Sequence, residues 1–519
     1  MDTIWIVLLT VLAVLGAPLF AIFGAASMLL FGALPDTSIT GTANDVFSEK
    51  FADSPLLVTI PLFTFAGYLL AESGTPQRLV KVSRAWLGWM PGGLAIVCLV
   101  ASAFFTTFTG GSGITIVAIG GLLYPALVAD KYEENFSLGL VTTGGSLGLL
   151  FPPSVPMIIY GVVAGIMIEK LFLAGLIPGI ITVAALAIYS SATGIKHKMP
   201  RTSFNVREAF TTLWEAKWEA LLPIALLGGM YSGLLRIHEA AAFTAIYTLV
   251  IEVWIYRDVS FRGDLSRIIR ESMTLVGAIL AILATAIGFT AFLIQARVPM
   301  MILDGMEGFI TSQVMFLIAL NFFLIGVGML MDIFSAIVVV VPLIIPIALR
   351  FGVDPYHLGI VFLLNLEIGY MTPPVGLNLF ISSFRFNKPI TQLYRSVLPF
   401  IGLLGLALII VTYIPSLSTW LPSLVESNAV NLDSGDDMDD EYDLDLDSLE
   451  GDDDTLDLDS LGGSLGDDDE ELDLDSLEGD DAELDLDALE DGDEELELDT
   501  LEDDEEELEL DADEPESPP

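Results

Sequence analysis

Cysteine is almost absent from this chain. Cys98 stands alone, which excludes an internal disulfide and any cysteine-based metal site. The start lacks a basic n-region and a small-residue cleavage site, and Asp2 precedes the first apolar run. That run therefore reads as a membrane span rather than a cleavable signal. Basic residues vanish near the end: from Asn431 onward there are 46 of the 70 acidic residues and no Lys or Arg. The rest holds 24 acids against 21 bases and is nearly neutral. The formal net charge of −49 thus belongs to a tail, and no basic face for nucleic acid is evident.

Apolar residues are what the chain has in abundance, 53 % of the total with a mean hydropathy of +0.67. This composition predicts an all-α polytopic membrane protein embedded in a lipid bilayer. Ile4–Leu34 is 31 uncharged residues, enough for one long tilted helix or two short ones broken near Gly24. A span follows at Pro55–Ala71, then an interfacial helix at Gln77–Met90 with Lys81 and Arg84 in water. Further spans are expected at Ile168–Ser191, Leu221–Leu235, Ala240–Ile255, Met273–Ile294 and Val397–Tyr413. Trp420 reads as an interface anchor.

Two stretches are interrupted where no ordinary span should be. Thr143–Gly161 and Glu367–Ser383 each carry a Pro-Pro pair with glycines just before it. Broken backbone at membrane depth survives only where protein or a polar cavity covers it. Two such breaks in matching places point to a transporter's binding site. Each is preceded by a run too long for one crossing and short for two. These runs are Gly92–Val128, broken at Thr109–Gly113, and Ser312–Leu349, broken at Gly326–Asp332; each predicts a re-entrant hairpin. Gly67 and Gly288, Pro125 and Pro346, Gly148 and Gly369, and Pro152 and Pro373 all stand 221 positions apart, as do the tips Gly111 and Asp332. The spacing predicts a unit of span, hairpin and broken helix used twice, at about 55–166 and 273–384. If each hairpin enters and leaves by one face, the basic clusters all fall on the cytoplasmic side, and the repeats are inverted.

The body is expected over 1–425 and an acidic tail over 426–519. In the tail LDLDSL-like hexads begin at Leu444, Leu456, Leu472, Leu484 and Leu496. Such like-charge density predicts disorder.

Gly110-Gly111-Ser112-Gly113 spells the nucleophile motif of intramembrane serine proteases. That chemistry needs a histidine base on a neighbouring helix, and none of His197, His238 and His357 lies within a span. A helix break whose carbonyls and hydroxyls hold a desolvated Na⁺ is the better use of these residues. Ionisable groups at membrane depth are candidates by default. Asp332 sits at the second hairpin's tip, where it binds an ion or caps a half-helix. Glu367 opens the second broken helix, where it is functional or pairs with Arg350 or Arg385. Thr372 offers a hydroxyl beside the break. Asn378 is the amide best placed to bond a substrate, together with the break positions Pro153 and Pro374.

Ile60-Pro61-Leu62-Phe63, Pro91-Gly92-Gly93-Leu94-Ala95, Phe151-Pro152-Pro153-Ser154, Phe172-Leu173-Ala174-Gly175-Leu176-Ile177-Pro178-Gly179, Gly328-Met329-Leu330-Met331-Asp332 and Thr372-Pro373-Pro374-Val375-Gly376-Leu377-Asn378 together resemble the large membrane subunit of tripartite ATP-independent periplasmic (TRAP) transporters. The resemblance spans roughly residues 1–425. It implies a Na⁺-coupled, multi-pass importer of organic acids in the bacterial inner membrane, with no cofactor and no enzymatic activity. Its partners would be a small four-span membrane subunit and a periplasmic substrate-binding protein, and its mechanism an elevator. By motif, Na⁺ sites would fall at Ser112 with Gly145 and Ser146, and at Gly328 and Asp332 with Thr372 and Gly376. The first tip departs from the family's Ser-Gly-Ser spelling, and the acidic tail is no part of the pattern. The alternative reading is a stand-alone Na⁺/dicarboxylate or citrate symporter, which needs no binding protein.

Overall fold

The computed structural model describes residues 19–31, 55–200, 203–307 and 309–432, and every regular element among them is helical. The loop expected at Pro35–Asp53, most of Ile4–Leu34 and the acidic hexads lie outside the described residues. Seven of the described helices are long and apolar enough to cross a bilayer, or eight if one bent pair is a single span. A helix satisfies its backbone internally, as lipid demands.

The first unit runs through α1 (Leu19–Phe31), α2 (Thr59–Glu72), α3 (Thr75–Leu87), α4 (Gly93–Thr109), α5 (Ser112–Ala129, with a π turn at Ile116–Gly120), α6 (Glu134–Gly144) and α7 (Val155–Ala164). The middle holds α8 (Ile168–Lys196), α9 (Val206–Glu215), α10 (Lys217–Tyr231) and α11 (Ile237–Ile255). The second unit holds α12 (Asp264–Gln295), α13 (Val298–Glu307), α14 (Gln313–Leu330), α15 (Ile333–Arg350), α16 (Pro355–Gly369) and α17 (Leu377–Phe386). It is followed by α18 (Ile390–Tyr413) and α19 (Ser416–Leu432), so the boundary expected at 425 falls inside a helix.

Each expected break is present for a local reason. Gly110 ends α4 in the left-handed conformation, and its amide donates back to the Thr106 carbonyl. Asp332 caps α15, accepting from the amides of Phe334 and Ser335. The Pro-Pro pairs lie in the gaps between α6 and α7 and between α16 and α17. The first of these breaks bends its pair of helices by 45°.

The repeat seen along the chain recurs as a contact in space. Gly148, between α6 and α7, sits so close to α4 that a Cβ would collide with the Ala103 carbonyl and lie 2.5 Å from the Thr107 amide nitrogen. Gly369 sits equally close to α14, where a Cβ would lie 2.6 Å from the Cα of Gly328. Thr107 and Gly328 are themselves 221 positions apart. The broken helices then cross over: α7 packs on α15 of the second unit, while α17 packs on α5 of the first. Neither unit completes its own interior.

The amphipathic α3 covers most of the stretch read as interfacial, and Lys81 and Arg84 are exposed. Arg78 on its other side is bound to Glu219 of α10, to Glu252 of α11 at 3.1 Å and to Asp258 beyond α11. Its guanidinium also stacks 3.8 Å from the centre of the Tyr256 ring. Burial opposes the charge, but the bond to Asp258 and the fields of Glu219 and Glu252 outweigh it and hold Arg78 ionised.

Candidate functional site

The crossed packing brings the first tip, the turn between α4 and α5, against the second break. Ser112, the first residue of α5, donates from its hydroxyl to Asn378 Oδ1 at 2.7 Å. Asn378 is the second residue of α17 and fully buried, and its backbone amide donates to the Tyr370 carbonyl at 3.2 Å. Its Nδ2 is buried with no acceptor. A buried amide donor left unmade costs about 1–3 kcal/mol, so Nδ2 is a place where a ligand oxygen would be welcome.

Around this bond lie two groups of oxygens. At the first tip, Thr106 Oγ1 reaches Ser102 O at 2.8 Å, Thr115 Oγ1 at 2.8 Å and Gly145 O at 2.9 Å. Gly145 also packs on the Ser112 carbonyl, where a Cβ would stand 2.9 Å away. Ser146 is buried and bonds the Thr143 carbonyl at 3.3 Å. Ser112, Gly145 and Ser146 are thus gathered into one buried neighbourhood. At the second tip, the Gly376 amide donates to the Met329 carbonyl at 3.3 Å. The carbonyls of Thr372 and Tyr370 both converge on Gly376, each 3.0 Å from where a Cβ would be. Gly328 lies one residue before Met329, so Gly328, Thr372 and Gly376 also meet.

The remaining candidates are placed differently from one another. Asp332 is exposed, and its carboxylate is occupied by the amides of Phe334 and Ser335 and by the Ser335 hydroxyl at 2.5 Å. The capping role considered for it is therefore filled. Thr372 Oγ1 donates to the Ile368 carbonyl at 2.8 Å, leaving its lone pairs open. Pro153 is buried, whereas Pro374 is exposed and its carbonyl accepts from Tyr394 at 3.1 Å. The two breaks are not in equivalent surroundings.

Glu367 pairs with neither arginine. It is fully buried, faces the Ser146 side chain, and neither carboxylate oxygen has a hydrogen-bond partner. Arg385 instead donates from Nε to the Val117 carbonyl at 3.1 Å. Sequence reasoning missed the Thr142–Ser382 hydroxyl bond of 2.8 Å, which ties α6 to α17. It also passed over Glu252, although a carboxylate inside an apolar run is itself a signal.

The profile of the family described as "Tripartite ATP-independent periplasmic transporter, DctM component" matches residues 6–417. The C4-dicarboxylate TRAP transporter large permease protein DctM of Vibrio cholerae is 34% identical over 79% of this chain and 95% of its own. The DctM of Pseudomonas aeruginosa is 36% identical over 77% of this chain and 92% of its own. The isethionate TRAP transporter permease protein DctMQ of Oleidesulfovibrio alaskensis is 35% identical, over 78% of this chain and 64% of its own. The solved structure of the YdaH transporter from Alcanivorax borkumensis aligns with a TM-score of 0.55 at 13% identity, over 79% of this chain and 98% of that one.

Proposed function

The chain belongs to the DctM family, the large permease component of TRAP transporters, and from this premise we propose that it imports small organic acids by Na⁺-coupled elevator movement. It is a multi-pass inner-membrane transport protein and not an enzyme. In the proposed cycle a soluble periplasmic binding protein delivers the acid, and a small four-span membrane subunit supports the permease. The re-entrant hairpins and broken helices move as a body against α2, α11 and α12.

One observation carries the reading. The Ser112–Asn378 bond joins the turn between α4 and α5 to the second break and leaves Nδ2 of Asn378 buried without a partner. Na⁺ takes carbonyl and hydroxyl oxygens, so Ser112, Gly145 and Ser146 would hold one ion, and Gly328, Asp332, Thr372 and Gly376 another. Each ion adds positive charge beside the amide, where an anionic acid gains most in a site shielded from water. Ion and acid would then bind with reciprocal coupling.

The test is uptake of radiolabelled succinate into proteoliposomes holding the permease with its small subunit and binding protein. An inward Na⁺ gradient should drive accumulation, an equal K⁺ gradient should not, and omitting the binding protein should abolish it. Uptake that persists without the binding protein would identify a stand-alone carrier. Uptake indifferent to Na⁺ would remove the coupling ion.

A further inference from the structure

A cleft of about 570 Å³ opens between α5 and α17, lined by Val117, Phe380, Ile381, Phe384 and Arg385. Its walls are apolar except for the guanidinium. Asn378, Ile381 and Arg385 are spaced i, i+3 and i+7, which puts them on one face of α17. At 1.5 Å per residue, Arg385 stands about 10 Å along the helix from Asn378. The neighbouring helix follows that face in register. Ser112 bonds Asn378, Gly113 lies against Ile381, the Val117 carbonyl accepts from Arg385, and Gly121 lies against Arg385 Nη2. The cleft is therefore the outward continuation of the stripe whose inner end is the unpartnered Nδ2 of Asn378.

Arg385 is exposed, and no carboxylate among the described residues pairs with it. Of its five N–H donors, Nε alone is spent, on the Val117 carbonyl. Val117 lies in the π turn Ile116–Gly120, a helix distortion that re-aims backbone groups and recurs at functional sites. Anchored by Nε, the guanidinium keeps its Nη edge for a planar, bidentate acceptor.

We propose that this cleft is an anion-binding vestibule on the substrate's path, in which Arg385 holds the carboxylate of a small organic acid passing to or from the buried amide of Asn378. The inference rests on the proposed import of organic acids for its physiological meaning, but the anion site is testable without transport. Phe384 is 86% exposed and lines the cleft, while Cys98, the chain's native thiol, is fully buried. Phe384→Cys in the purified full chain, reconstituted in phosphatidylcholine vesicles, can be labelled with the uncharged reagent N-ethylmaleimide.

Succinate should slow that labelling at least threefold, whereas chloride at matched ionic strength should not. Arg385→Gln should abolish the protection and Arg385→Lys should retain part of it, with matching size-exclusion profiles showing that both variants fold. Absent protection, or equal protection with Arg385→Gln, overturns the proposal. So does protection conferred by added phosphatidylglycerol in place of succinate, which would make the cleft a lipid site. Protection without any wild-type succinate uptake would sustain the vestibule and sink the transport reading; uptake without protection would do the reverse.

Discussion

At Ser146 and Thr372 the hydroxyl already donates to a local carbonyl, to Thr143 and Ile368 respectively. Its lone pairs are what an ion would use, so alanine removes a ligand while leaving the apolar surroundings intact. Ser146→Ala and Thr372→Ala should each raise the Na⁺ concentration for half-maximal uptake. A contact of ~1–2 kcal/mol corresponds to about a 5- to 30-fold shift. Ser191→Ala and Ser396→Ala, away from both breaks, should shift it little. Equal shifts at all four positions would show that the proline pairs are structural kinks.

Asp332 needs a finer cut, because it caps α15 whatever else it does. Asn caps nearly as well as Asp but carries no charge. Asp332→Asn should therefore keep the folded protein's thermal midpoint within a degree or two and still weaken Na⁺ activation, whereas Asp332→Ala should also lose about 1 kcal/mol of stability. Unchanged Na⁺ activation in the Asn variant would leave Asp332 a cap alone. The two roles were both legible in the sequence. Only coordinates show that the capping role is filled.

At the scale of elements, the helices have room to cross only at particular glycines. A methyl group at Gly148 would meet the backbone of α4, and one at Gly369 the backbone of α14. Backbone cannot step aside as a side chain can, so Gly148→Ala and Gly369→Ala should each cost about 1–3 kcal/mol or more through overpacking. Gly402→Ala and Gly405→Ala meet nothing within 4 Å and serve as controls on α18. Thermal unfolding of the detergent-solubilised protein reads the difference. If the controls fall as far as the test pair, close approach is not the cause, because alanine's better helix propensity should by itself raise stability there. The matching of Gly148 with Gly369 was visible as a spacing of 221, because a duplicated unit duplicates its points of close contact. The helix each glycine touches was not.

Across the whole molecule, the last helix runs past the boundary expected at residue 425, to where the acidic composition begins. The acidic character begins after Asn431, and α19 runs to Leu432. That helix packs on α8, and His357 of α16 meets both Ser418 at 2.6 Å and the Thr412 carbonyl at 3.2 Å. Truncation after Leu432 should leave membrane levels and uptake nearly intact. Truncation after Pro415 should lower both, since it strips the partner from a buried imidazole. Normal membrane levels with abolished uptake after truncation at Leu432 would make the tail part of the transport machinery.

Much of this architecture was determined by the sequence alone. Long apolar runs permit little but helices in lipid, paired prolines must break them, and a constant offset between glycines and prolines declares a duplication. These are local or periodic properties, and each is written in consecutive residues. Which unit completes which was decided only by tertiary structure. The pairing of Ser112 with Asn378 spans 266 positions, and the crossing of α7 onto α15 and α17 onto α5 is what creates it. The same holds for Glu367, for which arginine pairing was a fair expectation. In the fold Arg385 is turned toward Val117, and Glu367 faces Ser146 across the join between the two units. A charge pattern along the chain states which groups need partners. Only the packing of distant helices settles which of them find one.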